Sequence, residues 1–108
     1  MKKRMVILGA GESGVGAALL AQQKGYDVFV SDASSINMVF KNELVASGID
    51  FEEAMHTREN IMNATLIVKS PGIPEKNELV RELRETGIEI ISEIELAYRY
   101  KGDSKIIA

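Results

Sequence analysis

The sequence predicts an α/β fold in which five parallel strands alternate with helices as a doubly wound sheet, and three observations lead there. Runs rich in apolar residues at Met5 to Leu8, Asp27 to Ser31, Leu66 to Val68 and Ile88 to Ile91 are bounded by turn residues, as expected of strands covered on both faces. Between them lie stretches suited to helical crossovers, and the right-handed rule for such crossovers leaves few topologies. The first strand also runs directly into Gly9-Ala10-Gly11-Glu12-Ser13-Gly14, a glycine turn that opens a helix.

The first helix is expected from about Ser13 to Lys24, with alanines and leucines toward the sheet and Gly25 as its stop. The second strand, Asp27 to Ser31, ends at Asp32, and Ala33-Ser34-Ser35 reads as a loop. A second helix from Asn37 to Ala46 can put Met38, Leu44 and Val45 on one face, with Ser47-Gly48 closing it. Met38, Met55 and Met62 read as core filler. Ile49-Asp50-Phe51 is a short third strand, and a short helix covers Arg58 to Met62. The fourth strand, Leu66 to Val68, leads into Ser70-Pro71-Gly72-Ile73-Pro74. Asn77 can cap a helix to Thr86 that turns Leu79, Val80 and Leu83 inward and stops at Gly87. Its charged residues form a solvated face. Ile88 to Ile91 is the fifth strand, and Ser92 with Glu95 has capping-box spacing for a last helix through Tyr100, ending at Lys101-Gly102. Lys105-Ile106-Ile107-Ala108 then begins another apolar strand.

Composition narrows the function classes. A chain of 108 residues is one domain able to bury roughly two thirds of its unfolded surface, so it needs no disulfide or metal to fold. The absence of cysteine excludes a disulfide framework and a thiolate nucleophile and fits a reducing compartment. Lys2-Lys3-Arg4 before an apolar run imitates a secretory leader, but glycines and Glu12 interrupt the run. A cytoplasmic protein without a membrane segment is expected. Thirteen basic against sixteen acidic residues give a net charge of -3, with no basic patch for nucleic acid. His56 is the only histidine, and with no cysteine or second histidine beside it a metal role is not expected.

The glycines of the first loop have distinct mechanical reasons: a tight turn, close approach of backbone to a phosphate, and close packing of helix on strand. The first amides of the following helix have no partner inside it and sit at the positive end of the helix dipole, which favours an anion there. Ser13 adds a hydroxyl donor. In the second loop Pro71 fixes one backbone angle, and Gly72 bares its amide. The expected strand order is 3-2-1-4-5, in which strands one and four are neighbours whose connections leave toward opposite faces, opening a crevice at their C-terminal ends. Gly9 to Gly14 and Ser70 to Gly72 then face each other, with Asp32 one strand away. One helix terminus contributes roughly 0.3–2 kcal/mol, whereas micromolar binding needs about 8. A diphosphate would therefore need Ser70 and Gly72 as further donors, with a base or sugar filling the space toward Asp32. That describes a nucleotide without saying which. A NAD-type dinucleotide-binding Rossmann module with Asp32 on the adenosine ribose stays open, as does a scaffold that binds nothing.

The combination of Val6 to Gly14, Val30-Ser31-Asp32, Ser70-Pro71-Gly72-Ile73-Pro74 and Gly87 to Leu96 resembles the N-terminal domain of the Mur ligase family, in the branch that adds D-glutamate. The likeness covers the whole chain. It implies a Rossmann-like, UDP-binding domain over residues 1–103, with residues 104–108 starting an ATP-binding middle domain. It also implies a role in peptidoglycan precursor synthesis, where the domain anchors the UDP part of UDP-N-acetylmuramoyl-L-alanine. Matched residue by residue, the glycine turn with Gly11, Glu12, Ser13 and Gly14 lies at the uridine and diphosphate. Asp32 addresses the uracil edge, Ala33 and Ser34 border the base, and Ser70, Pro71 and Gly72 close over uracil and diphosphate. Some members have Thr-Arg where this chain has Ala33-Ser34. The resemblance further implies that the full-length enzyme uses ATP and Mg²⁺ to phosphorylate the alanyl carboxylate, after which the amine of D-glutamate attacks the acyl phosphate to form an amide. Those steps belong to middle and C-terminal domains, so no catalytic residue and no metal ligand are expected in this stretch.

Overall fold

In the computed structural model, which describes residues 3–100, strand and helix alternate from end to end. The elements are β1 (Arg4–Leu8), α1 (Glu12–Gln23), β2 (Asp27–Asp32), α2 (Met38–Ala46), β3 (Asp50–Glu53), α3 (Arg58–Ile61), β4 (Leu66–Lys69), α4 (Glu78–Thr86), β5 (Glu89–Ser92) and α5 (Glu93–Arg99). The five strands form one parallel sheet in the order β3-β2-β1-β4-β5, as the sequence leads one to expect. Ile7 lies opposite Val30 on one side and Val68 on the other. That register brings the C-terminal ends of β1, β2 and β4 level, so their three loops leave the sheet side by side.

Alternation along the strands divides the core into two layers. Met5, Ile7, Val28, Val30 and Val68 pack with Ala17, Ala18 and Ala21 of α1, Leu44 of α2 and Leu96 of α5. Val6, Leu8, Phe29 and Ile67 point the other way, onto Ile61 of α3 and Leu79 and Leu83 of α4. Small side chains on α1 let the helix sit close against the central strands. The helices after β1 and β4 therefore lie on opposite faces, and the sheet parts between those neighbours at its C-terminal edge.

Three expectations are corrected. Met38 and Met55 are 63% and 55% exposed, and Val45 is 64% exposed, so they fill no core; only Met62 packs against buried residues. For Met38 and Val45 the reason is that α2 covers the sheet near its edge and buries Leu44 alone, with Phe40 partly covered, while Met55 lies in the loop between β3 and α3. The third strand begins at Asp50, because the Ile49 amide closes α2 by donating to Leu44 O (3.0 Å). At α5 the capping box is half made: Ser92 Oγ accepts from the Glu95 amide at 3.0 Å, but the Glu95 carboxylate pairs with Arg99 instead of reaching back. The helix stop at Lys101-Gly102, the strand from Lys105 and the boundary at residues 103 and 104 lie outside the described residues. Among the described residues no helix is long and apolar enough to cross a membrane.

Candidate functional site

The two central loops begin as continuations of the sheet. The Gly9 amide donates to Ser31 O at 2.9 Å, and the Ser70 amide donates to Leu8 O at 3.0 Å. Gly9 has φ +104°, and a Cβ on it would lie 2.8 Å from Ser70 Cβ, so both the turn and the contact between loops require glycine. A Cβ on Gly14 would lie 2.0 Å from Gly9 O, which explains that glycine by helix packing. Gly11 differs: nothing stands within 4 Å of where its Cβ would be, and it lines the cleft between the loops. The space beside it is open.

Gly11 is also the N-cap of α1 and offers no side chain to the first-turn amides. In contrast, Asn37 caps α2, Asn77 caps α4 and Ser92 caps α5, each accepting from first-turn amides of its helix. Among these four helices, α1 alone keeps its positive end uncapped by a side chain, and that end opens on the cleft.

The cleft measures about 300 Å³, at the lower end of small-molecule sites. Of the residues singled out from sequence, Gly11, Asp32, Ala33, Ser34, Ser70 and Gly72 line it together. Ser13 and Pro71 line an adjoining groove between α1 and α5 with Leu20 and Ile94. Glu12 is exposed and Gly14 buried, and neither lines either space. Among the described residues no lysine or arginine lines the cleft.

Several donors expected to face a diphosphate are already engaged. The Gly72 amide donates to Ser70 Oγ at 3.3 Å and the Ser70 amide is held by Leu8, so the second loop offers the Ser70 hydroxyl hydrogen. Asp32 accepts from the Ala10 amide at 2.7 Å and from the Ser34 amide at 2.8 Å, tying the β1–α1 loop to the β2–α2 loop while each oxygen keeps a lone pair. Lys69 braces the second loop from behind: its Nζ donates to Ile73 O at 2.6 Å and lies 3.5 Å from Glu75.

Sequence reasoning missed His56, Ile73, Pro74 and Asn77 as part of the lining. The His56 ring meets the fully buried Ser31, with Nδ1 2.7 Å from Ser31 Oγ. Ser31 Oγ is also 2.7 Å from Glu52 Oε2, and Glu52 accepts from the Thr57 amide (2.7 Å) and hydroxyl (2.6 Å). Burial pushes the Glu52 carboxyl up, but the hydrogen bonds from Thr57 and Ser31 and the nearby His56 outweigh it and hold the group below its ordinary value. Burial holds His56 below its ordinary value against the opposing charges of Glu52 and Asp32.

Comparison with known proteins adds a family to this geometry. Residues 3–92 match the model described as Mur ligase MurD-like, N-terminal domain. The chain is 58% identical over 100 residues to the UDP-N-acetylmuramoylalanine--D-glutamate ligase of Cytophaga hutchinsonii, covering 93% of this chain and 22% of that protein. It is 56% identical over 105 residues to the ligase of the same name from Bacteroides fragilis, covering 97% of this chain and 23% of that one. Among solved structures, a pseudomurein peptide ligase type C from Methanothermus fervidus superposes with TM-score 0.79 at 26% identity, over 92% of this chain and 20% of that one. The chain thus spans about a fifth of the length of these relatives.

Proposed function

The chain belongs to the Mur ligase MurD-like N-terminal domain family, and on that premise we propose that its cleft anchors the UDP part of UDP-N-acetylmuramoyl-L-alanine for a cytoplasmic ligase of peptidoglycan precursor synthesis. The observation that carries this reading is the meeting of two loops from the adjacent strands β1 and β4 around a cleft that the uncapped end of α1 faces. In this reading the diphosphate lies at Gly11 and the α1 amides, with the Ser70 hydroxyl opposite. The nucleoside extends past Asp32, Ala33 and Ser34. Glu12 turns its carboxylate to solvent, and Ser13 and Pro71 continue the contact along the adjoining groove.

Joining the substrate to D-glutamate is assigned to the rest of the enzyme. Among the described residues no group of His, Cys, Asp or Glu has metal-holding geometry, and the cleft has no cation for a triphosphate. With dipoles and hydroxyls in place of formal charge, the domain supplies position and orientation. Calorimetric titration with UDP-N-acetylglucosamine and with NADH tests the reading. The sugar nucleotide is expected to bind and NADH to bind little; tight NADH binding with no response to the UDP sugar overturns it. Gly72→Val is expected to abolish UDP binding and still fold, since a Cβ there meets only Ser70 Oγ at 3.8 Å.

A further inference from the structure

We propose that His56 is a specificity-determining residue of this cleft, its Nε2 accepting the hydrogen of a nucleoside N–H or hydroxyl group because Ser31 and Glu52 fix the tautomer of its ring. This rests on the nucleotide reading above and adds to it a direction for the ligand.

The tautomer follows from counting hydrogens. Glu52 accepts two hydrogen bonds from Thr57 and is a carboxylate with nothing to donate. The single Ser31 hydroxyl hydrogen therefore lies toward Glu52 Oε2 at 2.7 Å rather than toward Met55 O at 3.3 Å. Ser31 Oγ can then only accept from His56, so the Nδ1 atom 2.7 Å away carries the proton. In a neutral ring this leaves a lone pair on Nε2. Nε2 makes no hydrogen bond among the described residues, yet no buried side-chain nitrogen or oxygen is without a partner. Nε2 is therefore open to solvent, on a ring that lines the cleft.

The ring is also fixed in place. The Ala54 amide donates to Ser34 O (3.0 Å) and the Met55 amide to Asp32 O (3.3 Å), docking the β3–α3 loop on the β2–α2 loop. Ala54 is held there at φ +61°, a left-handed conformation unfavourable for a residue with a Cβ. Two acceptors, Asp32 and the His56 Nε2, thus line the cleft together, Asp32 touching the glycine turn through the Ala10 amide and His56 standing on the β3–α3 loop. Acceptors repel phosphate oxygens and select N–H or O–H groups. The diphosphate belongs at the glycine turn and the nucleoside at His56.

The test is long-range ¹H–¹⁵N spectroscopy of the histidine-labelled chain, titrated with UDP-N-acetylglucosamine. The Nδ1–H tautomer is expected in the free protein, with the Nε2 resonance moving on binding. Loss of that movement with the 3-methyluridine form of the probe assigns the donor to the base. Loss with a 2′- or 3′-deoxy form assigns it to the ribose. His56→Asn keeps a donor for Ser31 and lacks the outer acceptor, and is expected to bind about two- to tenfold more weakly. Affinity should fall as the ring gains its proton, at a pH below the ordinary histidine value because burial lowers it, and stay flat in His56→Asn. The charged groups acting on the ring are Glu52 from β3 and Asp32 from β2, and both oppose its lowered value. An Nε2–H tautomer overturns the proposal, as does an unmoved Nε2 while the Ala10 and Ser70 amides report binding. So do wild-type affinity in His56→Asn and a shift that survives every modified probe. No binding at all overturns the nucleotide reading itself.

Discussion

At the α1 end the cleft is made of backbone from which side chains have been removed, whereas at its β3 end it is made of side chains locked to one another. Gly9 and Gly14 make the tight turn and the close helix packing that leave the α1 terminus at Gly11 without a side-chain cap. Ser31, Glu52, His56 and Thr57 instead form a hydrogen-bonded group behind the opposite wall. One end offers donors to any anion and discriminates little. The other presents acceptors at fixed points, the arrangement that distinguishes one nucleoside from another. A ligand with a negative and a hydrogen-donating end fits this polarity in one direction.

The two ends should therefore fail differently. Gly14→Ala places a Cβ against Gly9 O at 2.0 Å, where backbone must move, so a loss of about 3 kcal/mol or more is expected. Thermal unfolding would show it as a midpoint lowered by more than about 10 °C. Ser31→Ala leaves the packing intact but strips Glu52 and His56 Nδ1 of a partner, for a loss of about 1–3 kcal/mol in denaturant melts. It also frees the ring to change tautomer, so the drop in UDP affinity should resemble that of His56→Asn. The smallest effect is acid lability. His56 is held below its ordinary 6.5, so the unfolded chain takes up this proton first and stability should decline as pH falls from about 6.5. Glu52, held below 4.5, adds a second decline from about pH 4.5 downward. Glu93, raised by burial, works in the opposite direction. His56→Asn should remove the first decline, and a curve unchanged by that substitution would detach His56 from it.

The α1 end was legible in the sequence because its signals are local. Gly9, Gly11 and Gly14 stand next to a strand and a helix, and Asn77 and Ser92 cap their helices at the positions their spacing marks. Continuous apolar runs and the right-handed crossover rule placed β1 and β4 side by side, and with them the two loops. The β3 end was not legible. His56 and Ser31 are 25 residues apart, and they meet only because β3 lies beside β2 and the following loop folds back over it. A lone histidine after an acid-rich edge strand carries no motif. The exposed Met38 escapes a sequence reading for a related reason: apolar residues of a helix mark core only where that helix covers the middle of the sheet. Separation of Ser13 and Pro71 from the main cleft is likewise a matter of how α5 packs on α1, which neither residue announces.

The central claim is that the β1–α1 and β4–α4 loops hold one diphosphate between them. Amide ¹H–¹⁵N shifts followed through a single titration with UDP-N-acetylglucosamine test it directly. Gly9, Gly11, Ser70 and Gly72 are expected to move together along one binding curve, with Ser34 and His56 following at the nucleoside end. Shifts confined to one loop, or two loops titrating with different affinities, would contradict it.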